Sequence, residues 1–128
     1  MRLLLDTSTF LWFLVGDRQL SEAAAEAIRS AENDVWLSVV SFWEILVKQQ
    51  LGRLPLPKPA SSYIPRQRKL HGIASLRLHE RAVRHLPKLP SIHRDPFDRL
   101  LVCQCLEHNL LLVTSDRAVQ AYPVKTLW

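Results

Sequence analysis

Three short apolar runs, Leu3-Leu4-Leu5, Val35-Trp36-Leu37 and Leu110-Leu111-Leu112-Val113, run straight into the polar residues Asp6, Ser38 and Thr114. None of them alternates polar with apolar positions, as a strand with one wet face does, so each reads as a strand buried on both faces. Strands of that kind, separated by helical stretches, fold as a parallel sheet covered on both sides. In such a sheet, ligands bind at the carboxyl ends of the strands.

The intervening sequence fits this frame. After a strand at 2–5, an apolar helix at 7–15 is closed by Gly16 and Asp17, and Ser21 caps a helix running to about residue 31. A strand at 35–38 leads to a helix at 41–51, stopped by Gly52 and the prolines at 55, 57 and 59. A basic helix at 61–70 precedes a third strand at 73–76 and a short helix at 79–86. Pro87 and Pro90 then carry a loop to Asp95, and a helix at 96–108, a strand at 110–114, a short helix at 116–121 and a strand at 124–127 complete the chain. The expectation is an α/β, three-layer fold with a central parallel sheet of four to five strands and helices on both faces.

With 128 residues and 48% hydrophobic content, residues 1–128 are expected to form one domain with a sizeable core. Asp6 interrupts the apolar stretch from Arg2 to Val15, so neither a leader peptide nor a membrane span is expected, and the cytoplasm is the expected location. Cys103 and Cys105 lie two residues apart on a helix and read as reduced packing residues, and the five histidines have no zinc-type spacing. Gly16, Gly52 and Gly72 are the only glycines, too few and too scattered for a phosphate-cradling loop.

Four acids, Asp6, Glu44, Asp98 and Asp116, fall at strand ends or near helix starts, and would meet at one edge of the sheet. Each has an ordinary explanation. Asp6 could cap a helix, Glu44 stands three residues after Ser41 as in a capping box, Asp95-Pro96-Phe97-Asp98 reads as cap, first-turn proline and third-position acid, and Asp116 suits a helix start. Capping does not explain their gathering. Two carboxylates about 5 Å apart repel by roughly 3 kcal/mol at an effective dielectric of about 20, and a divalent cation removes that penalty. Hard oxygen ligands favour magnesium or manganese, the usual equipment for phosphodiester hydrolysis.

Charge is divided along the chain. Residues 58–94 hold nine basic side chains against the single acid Glu80, a charge of +8, while the remainder holds eight basic and eleven acidic residues, −3. A basic flank beside an acidic pocket suits a polyanionic substrate, although solvated helix faces would give the same pattern.

The motifs Leu-Leu-Leu-Asp6-Thr-Ser, Ser-Phe-Trp-Glu44-Ile, Arg-Asp95-Pro-Phe-Asp98-Arg-Leu-Leu and Leu-Val-Thr-Ser-Asp116 resemble those of PIN-domain ribonucleases, and more narrowly VapC-type toxins of toxin–antitoxin pairs. The resemblance spans nearly the whole chain. It implies a PIN-like fold and a magnesium- or manganese-dependent endoribonuclease, with Asp6, Glu44, Asp98 and Asp116 as its acids. On this reading Asp6 and Asp98 hold the metal, and Glu44 and Asp116 reach it through water or complete a second site. In-line attack of water would leave a 5′-phosphate and a 3′-hydroxyl. Asp95, Thr7, Thr114 and Ser115 are supporting residues, the last two orienting a carboxylate or a water. From charge alone, Arg66, Arg68, Lys69, Arg94 and Arg99 are the expected RNA contacts. The implied partners are an RNA substrate and a cognate antitoxin, with Trp12, Phe13, Trp36 and Trp43 as aromatic surface for that contact or for a homodimer.

Two other classes compete. One is a noncatalytic RNA- or partner-binding domain whose acids merely cap helices. The other is a magnesium-dependent phosphotransfer domain, but Ser8 stands where the haloacid-dehalogenase pattern needs a second Asp, and the adjacent acids of a receiver domain are missing near the first strand.

Overall fold

The computed structural model describes residues 1–57, 59–92 and 95–128. Among these residues, strands β1 (Arg2–Leu5), β2 (Asp34–Ser38), β3 (Ala74–Leu76), β4 (Leu111–Val113) and β5 (Thr126–Leu127) form one sheet in the order β3-β2-β1-β4-β5. Every pairing is parallel. The helices are α1 (Thr7–Val15), α2 (Glu22–Arg29), α3 (Val39–Gln50), α4 (Ala60–Leu70), α5 (Glu80–Val83), α6 (Pro96–His108) and α7 (Arg117–Gln120), with a 3-10 turn at Leu86–Lys88. The three-layer α/β architecture expected from the apolar runs is the one that forms.

The uniformly apolar strands feed two cores because alternate residues point to opposite faces of the sheet. Leu3 and Leu5 of β1 pack with Phe10 of α1, Ala24 and Ile28 of α2, Ile45 of α3 and Ile64 of α4. Leu4, between them, packs on the other face with Leu101, Val102 and Cys105 of α6 and with Leu112 of β4. All three β1 leucines are fully buried, and each contributes about 1.5–3 kcal/mol of burial free energy. Cys103 and Cys105 are free thiols in the second core, as expected.

Local signals set most helix ends. Ser21 Oγ accepts from the Ala24 N–H at the start of α2, and Asp95 caps α6 just before Pro96. Gly16, at φ 66°, ends α1 in a left-handed conformation and donates its N–H to the Trp12 carbonyl. Two expectations change. Helix α3 starts at Val39 rather than 41, with Ser38 Oγ accepting from the Val40 N–H. The helix expected at 79–86 stops at Val83, and Pro87 sits instead inside the 3-10 turn, where no backbone N–H is required.

The chain builds β1, β2 and β3 toward one edge, then returns across the sheet to lay β4 on the free flank of β1. The order of construction therefore reverses between β1 and β4, and the connections diverge there, leaving a crevice at the strands' carboxyl ends.

One buried polar side chain ties this edge together. Gln104 of α6 is fully buried. Its Oε1 accepts from the Ser38 hydroxyl at the end of β2, and its Nε2 donates to the Arg77 carbonyl just past β3 at 3.2 Å. Replacing it with an apolar residue removes both bonds. Gln104→Leu is expected to lower stability by about 1–3 kcal/mol, read from the midpoint of urea unfolding with an unchanged slope.

Candidate active site

Register brings the first two acids together. Leu5 pairs with Val113 across β1 and β4, and the Asp6 N–H continues the ladder by donating to the Val113 carbonyl at 3.1 Å. The next residue on β4, Thr114, thus emerges beside Asp6 and donates its hydroxyl to Asp6 Oδ2 at 2.7 Å. The same hydroxyl oxygen accepts the Asp116 N–H at 3.1 Å, and Asp116 Oδ1 caps α7 through the Ala118 N–H at 2.9 Å. One fully buried threonine orients two of the acids.

Glu44 comes from the second turn of α3. Because that helix is capped by Ser38, Glu44 is not the third-position acid of a Ser41 capping box, and the structure removes its ordinary explanation. Ser41 is fully buried and pairs instead with the Thr7 hydroxyl at 2.9 Å. Thr7 in turn donates to Glu44 Oε1 at 2.7 Å, and the Lys48 ammonium donates to Oε2 at 2.6 Å. Asp95 Oδ1 caps α6 through the N–H groups of Phe97 and Asp98, at 2.8 and 3.2 Å, which fixes the first turn that carries Asp98.

The acids meet around one cavity of about 340 Å³, lined by Asp6, Glu44, Asp95, Asp98 and Asp116 together with Thr7, Ser8, Trp12, Lys48 and Ser115. Convergence, the one property that capping cannot supply, is therefore present. Sequence reasoning missed Lys48 and the part Ser41 plays. The signal for Lys48 was its position four residues after Glu44 on a helix.

Crowding is visible in the electrostatics. Burial pushes the Asp98 carboxyl from its ordinary 3.8 up to about 8, and the charges of Asp6, Asp95, Glu44 and Asp116 push in the same direction. Asp6 is also raised, chiefly by burial, against the lowering effect of hydrogen bonds from Thr114 and the Thr7 backbone. Burial pulls the Lys48 ammonium down, but its hydrogen bond to Glu44 and the field of Glu44, Asp95 and Asp98 outweigh this and leave it raised. Burial is the first cause for both carboxyls, and the neighbouring acids add to it.

The donor set suits a hard divalent cation. Among the described residues no group of three or more histidine, cysteine, aspartate or glutamate side chains is close enough to hold a metal ion together. Magnesium does not need one, since it keeps several waters and commonly binds through one or two carboxylates. Asp6, Glu44, Asp98 and Asp116 all line the cavity and supply such oxygens.

The expected RNA contacts divide differently. Arg94 lies outside the described residues. Arg66 and Lys69 are exposed on α4, but Arg68 donates to the Ile73 carbonyl at 2.7 Å and is half-buried. Arg99 braces the second core, donating to the Leu86 and Pro90 carbonyls and to the Tyr122 hydroxyl. Neither Arg68 nor Arg99 lines the acidic cavity. Of the four aromatic residues, Trp43 is 53% exposed against Phe97, whereas Trp36 is half-buried beneath the Arg2 guanidinium.

Known proteins share this arrangement of elements. The PIN domain family pattern matches residues 3–125. Ribonuclease VapC22 of Mycobacterium tuberculosis is 28% identical over 130 residues, spanning 98% of this chain and 97% of the relative. Among solved structures, VapBC2 of Rickettsia felis bound to a promoter DNA fragment superposes with a TM-score of 0.72 at 12% identity, over 99% of this chain and 98% of that one. VapBC-1 of nontypeable Haemophilus influenzae superposes with a TM-score of 0.60 at 15% identity, over 99% and 97% of the two chains.

The Asp98 carboxyl makes a testable demand on stability. It keeps its proton up to about pH 8 in the folded chain but releases it near the ordinary 3.8 when unfolded. The folded state therefore binds more protons between those values, and metal-free stability falls as pH rises from about 4 to about 8. Asp98→Asn should flatten that decline and stabilise the metal-free protein at pH 8.5 by on the order of 2 kcal/mol, discounted for the group's partial exposure. Urea unfolding at pH 5 and 8.5 in EDTA checks it.

Proposed function

The chain belongs to the PIN domain family, and we propose that it is a divalent-metal-dependent endoribonuclease acting as the toxin of a toxin–antitoxin pair. The convergence of five carboxylates on one cavity, with Thr7 and Thr114 holding two of them, carries the reading. The likeness over nearly full length to ribonuclease VapC22 supports the ribonuclease activity. The fold neighbours in VapBC assemblies support an antitoxin partner. A homodimer, magnesium or manganese as the metal, and a cytoplasmic location belong to the same proposal. No helix among the described residues is long and apolar enough to cross a membrane.

In this reading Asp6 and Asp98 hold the cation, while Glu44 and Asp116 act through water. When bound, the cation would polarise the phosphodiester and lower the pKa of the attacking water. The chain's own contribution is preorganisation. The Thr114 hydroxyl points Asp6 Oδ2 in a fixed direction, Thr7 does the same for Glu44 Oε1, and Asp95 holds the first turn of α6 so that Asp98 faces the cavity. The positive end of α6 lies at Asp98 and favours its charged form. Exposed Arg66 and Lys69 offer phosphate contacts away from the cavity wall.

A purified wild-type protein should cut RNA with manganese or magnesium and not in EDTA, and Asp98→Asn should abolish cleavage. Undiminished metal-dependent cleavage by the Asp98→Asn protein would remove Asp98 from the site. Thr114→Val, which leaves every carboxylate in place, should lose about 10–100-fold in metal affinity or rate. For the partner, coexpression with the product of the adjoining reading frame should yield a copurifying complex with suppressed cleavage. A chain that stays free and active beside that product would count against the pairing.

A further inference from the structure

Both oxygens of Glu44 are engaged, by partners of different kinds. On Oε1 the donor is Thr7, a buried hydroxyl held in turn by Ser41. On Oε2 it is Lys48, whose side chain is 44% exposed and reaches back one turn along the same helix. An exposed pair at this spacing contributes little. This one differs because the Glu44 side chain is only 5% exposed, and a desolvated carboxylate gains far more from a charged partner than an exposed one does. Among the described residues that line the cavity, Lys48 is the one cation, facing Asp6, Glu44, Asp95, Asp98 and Asp116.

We propose that Lys48 is a built-in counter-ion of the acidic cavity, holding Glu44 Oε2 while no divalent cation is present and giving way when one enters. The inference rests on the cavity being a metal site and adds a competitor tethered to the chain itself. A monovalent ammonium offsets part of the crowded negative charge, so the cavity can fold before it is loaded. An incoming dication satisfies the same carboxylates and repels the ammonium. Release needs no backbone movement, since the Lys48 stem is partly in solvent and Thr7 keeps Glu44 in place meanwhile.

The test is calorimetric titration of manganese into metal-free proteins. Lys48→Met should bind manganese about tenfold more tightly than wild type, and Lys48→Arg, which keeps the charge, should bind as wild type does. If the effect runs through the Glu44 contact, Lys48→Met should change affinity by less than about twofold in a Glu44→Gln background. In EDTA, Lys48→Met should melt below wild type, and manganese should close the gap. Lys48→Gln carries the same comparison if the Met variant does not fold. Unchanged or weaker binding by the neutral variants overturns the proposal, as does equal tightening in both backgrounds, which would mean a general field and not this contact. Wild-type protein that binds no manganese at all would instead overturn the metal reading, and this inference with it.

Discussion

Parallel pairing of β1 with β4 matches Leu5 to Val113, so that the next residue on each strand, Asp6 and Thr114, leave the sheet side by side although 108 positions separate them. Asp116 is hydrogen-bonded to that threonine, and Thr7, directly after Asp6, reaches Glu44. Three of the acids are thus positioned by two adjacent strand ends. A slip of one residue in this register would turn Leu4 toward the opposite core and separate the hydroxyl from the carboxylate it orients. The buried leucines that fix the register therefore fix the site, which is how apolar side chains can determine the geometry of a charged cavity.

Gathering the acids has an electrostatic cost that the fold meets piecemeal. Hydroxyl donors on Asp6 and Glu44, an ammonium on Glu44 and the first turn of α6 at Asp98 each stabilise negative charge locally. They do not suffice, because Asp98 still holds its proton up to about pH 8. On the proposed reading, what remains uncompensated is what a bound cation would offset. Stability and function are opposed here in a way that single hydrogen bonds cannot reveal.

Much of this was legible in the chain. Unbroken apolar runs specified buried parallel strands, and the turn and cap residues at Gly16, Ser21 and Asp95 placed helix ends where the structure has them. The start of α3 was not legible, because Ser38 and Ser41 both make plausible caps and the strand passes into the helix without a turn residue to mark the boundary. That ambiguity gave Glu44 a false capping role. Arg68 and Arg99 were expected at the substrate because charge is readable from sequence, whereas the carbonyls to which they donate are defined only by tertiary packing. Gln104 was invisible for the same reason, since a glutamine on a helix gains meaning only when Ser38 and Arg77 arrive beside it.

The two acids of the Asp95–Asp98 motif show how one sequence signature divides its labour. Asp95 uses one oxygen to cap the open N–H groups of α6 while its charge also faces the cavity. Asp98 donates its backbone N–H to that cap and carries its own carboxyl into a cavity where burial, and after it four other acids, raise its pKa. A residue placed for stability alone would not be put where its ionised form is penalised from several directions at once. On the proposed reading, a cation taken up by the cavity would relieve that penalty, which gives the position of Asp98 a physical account.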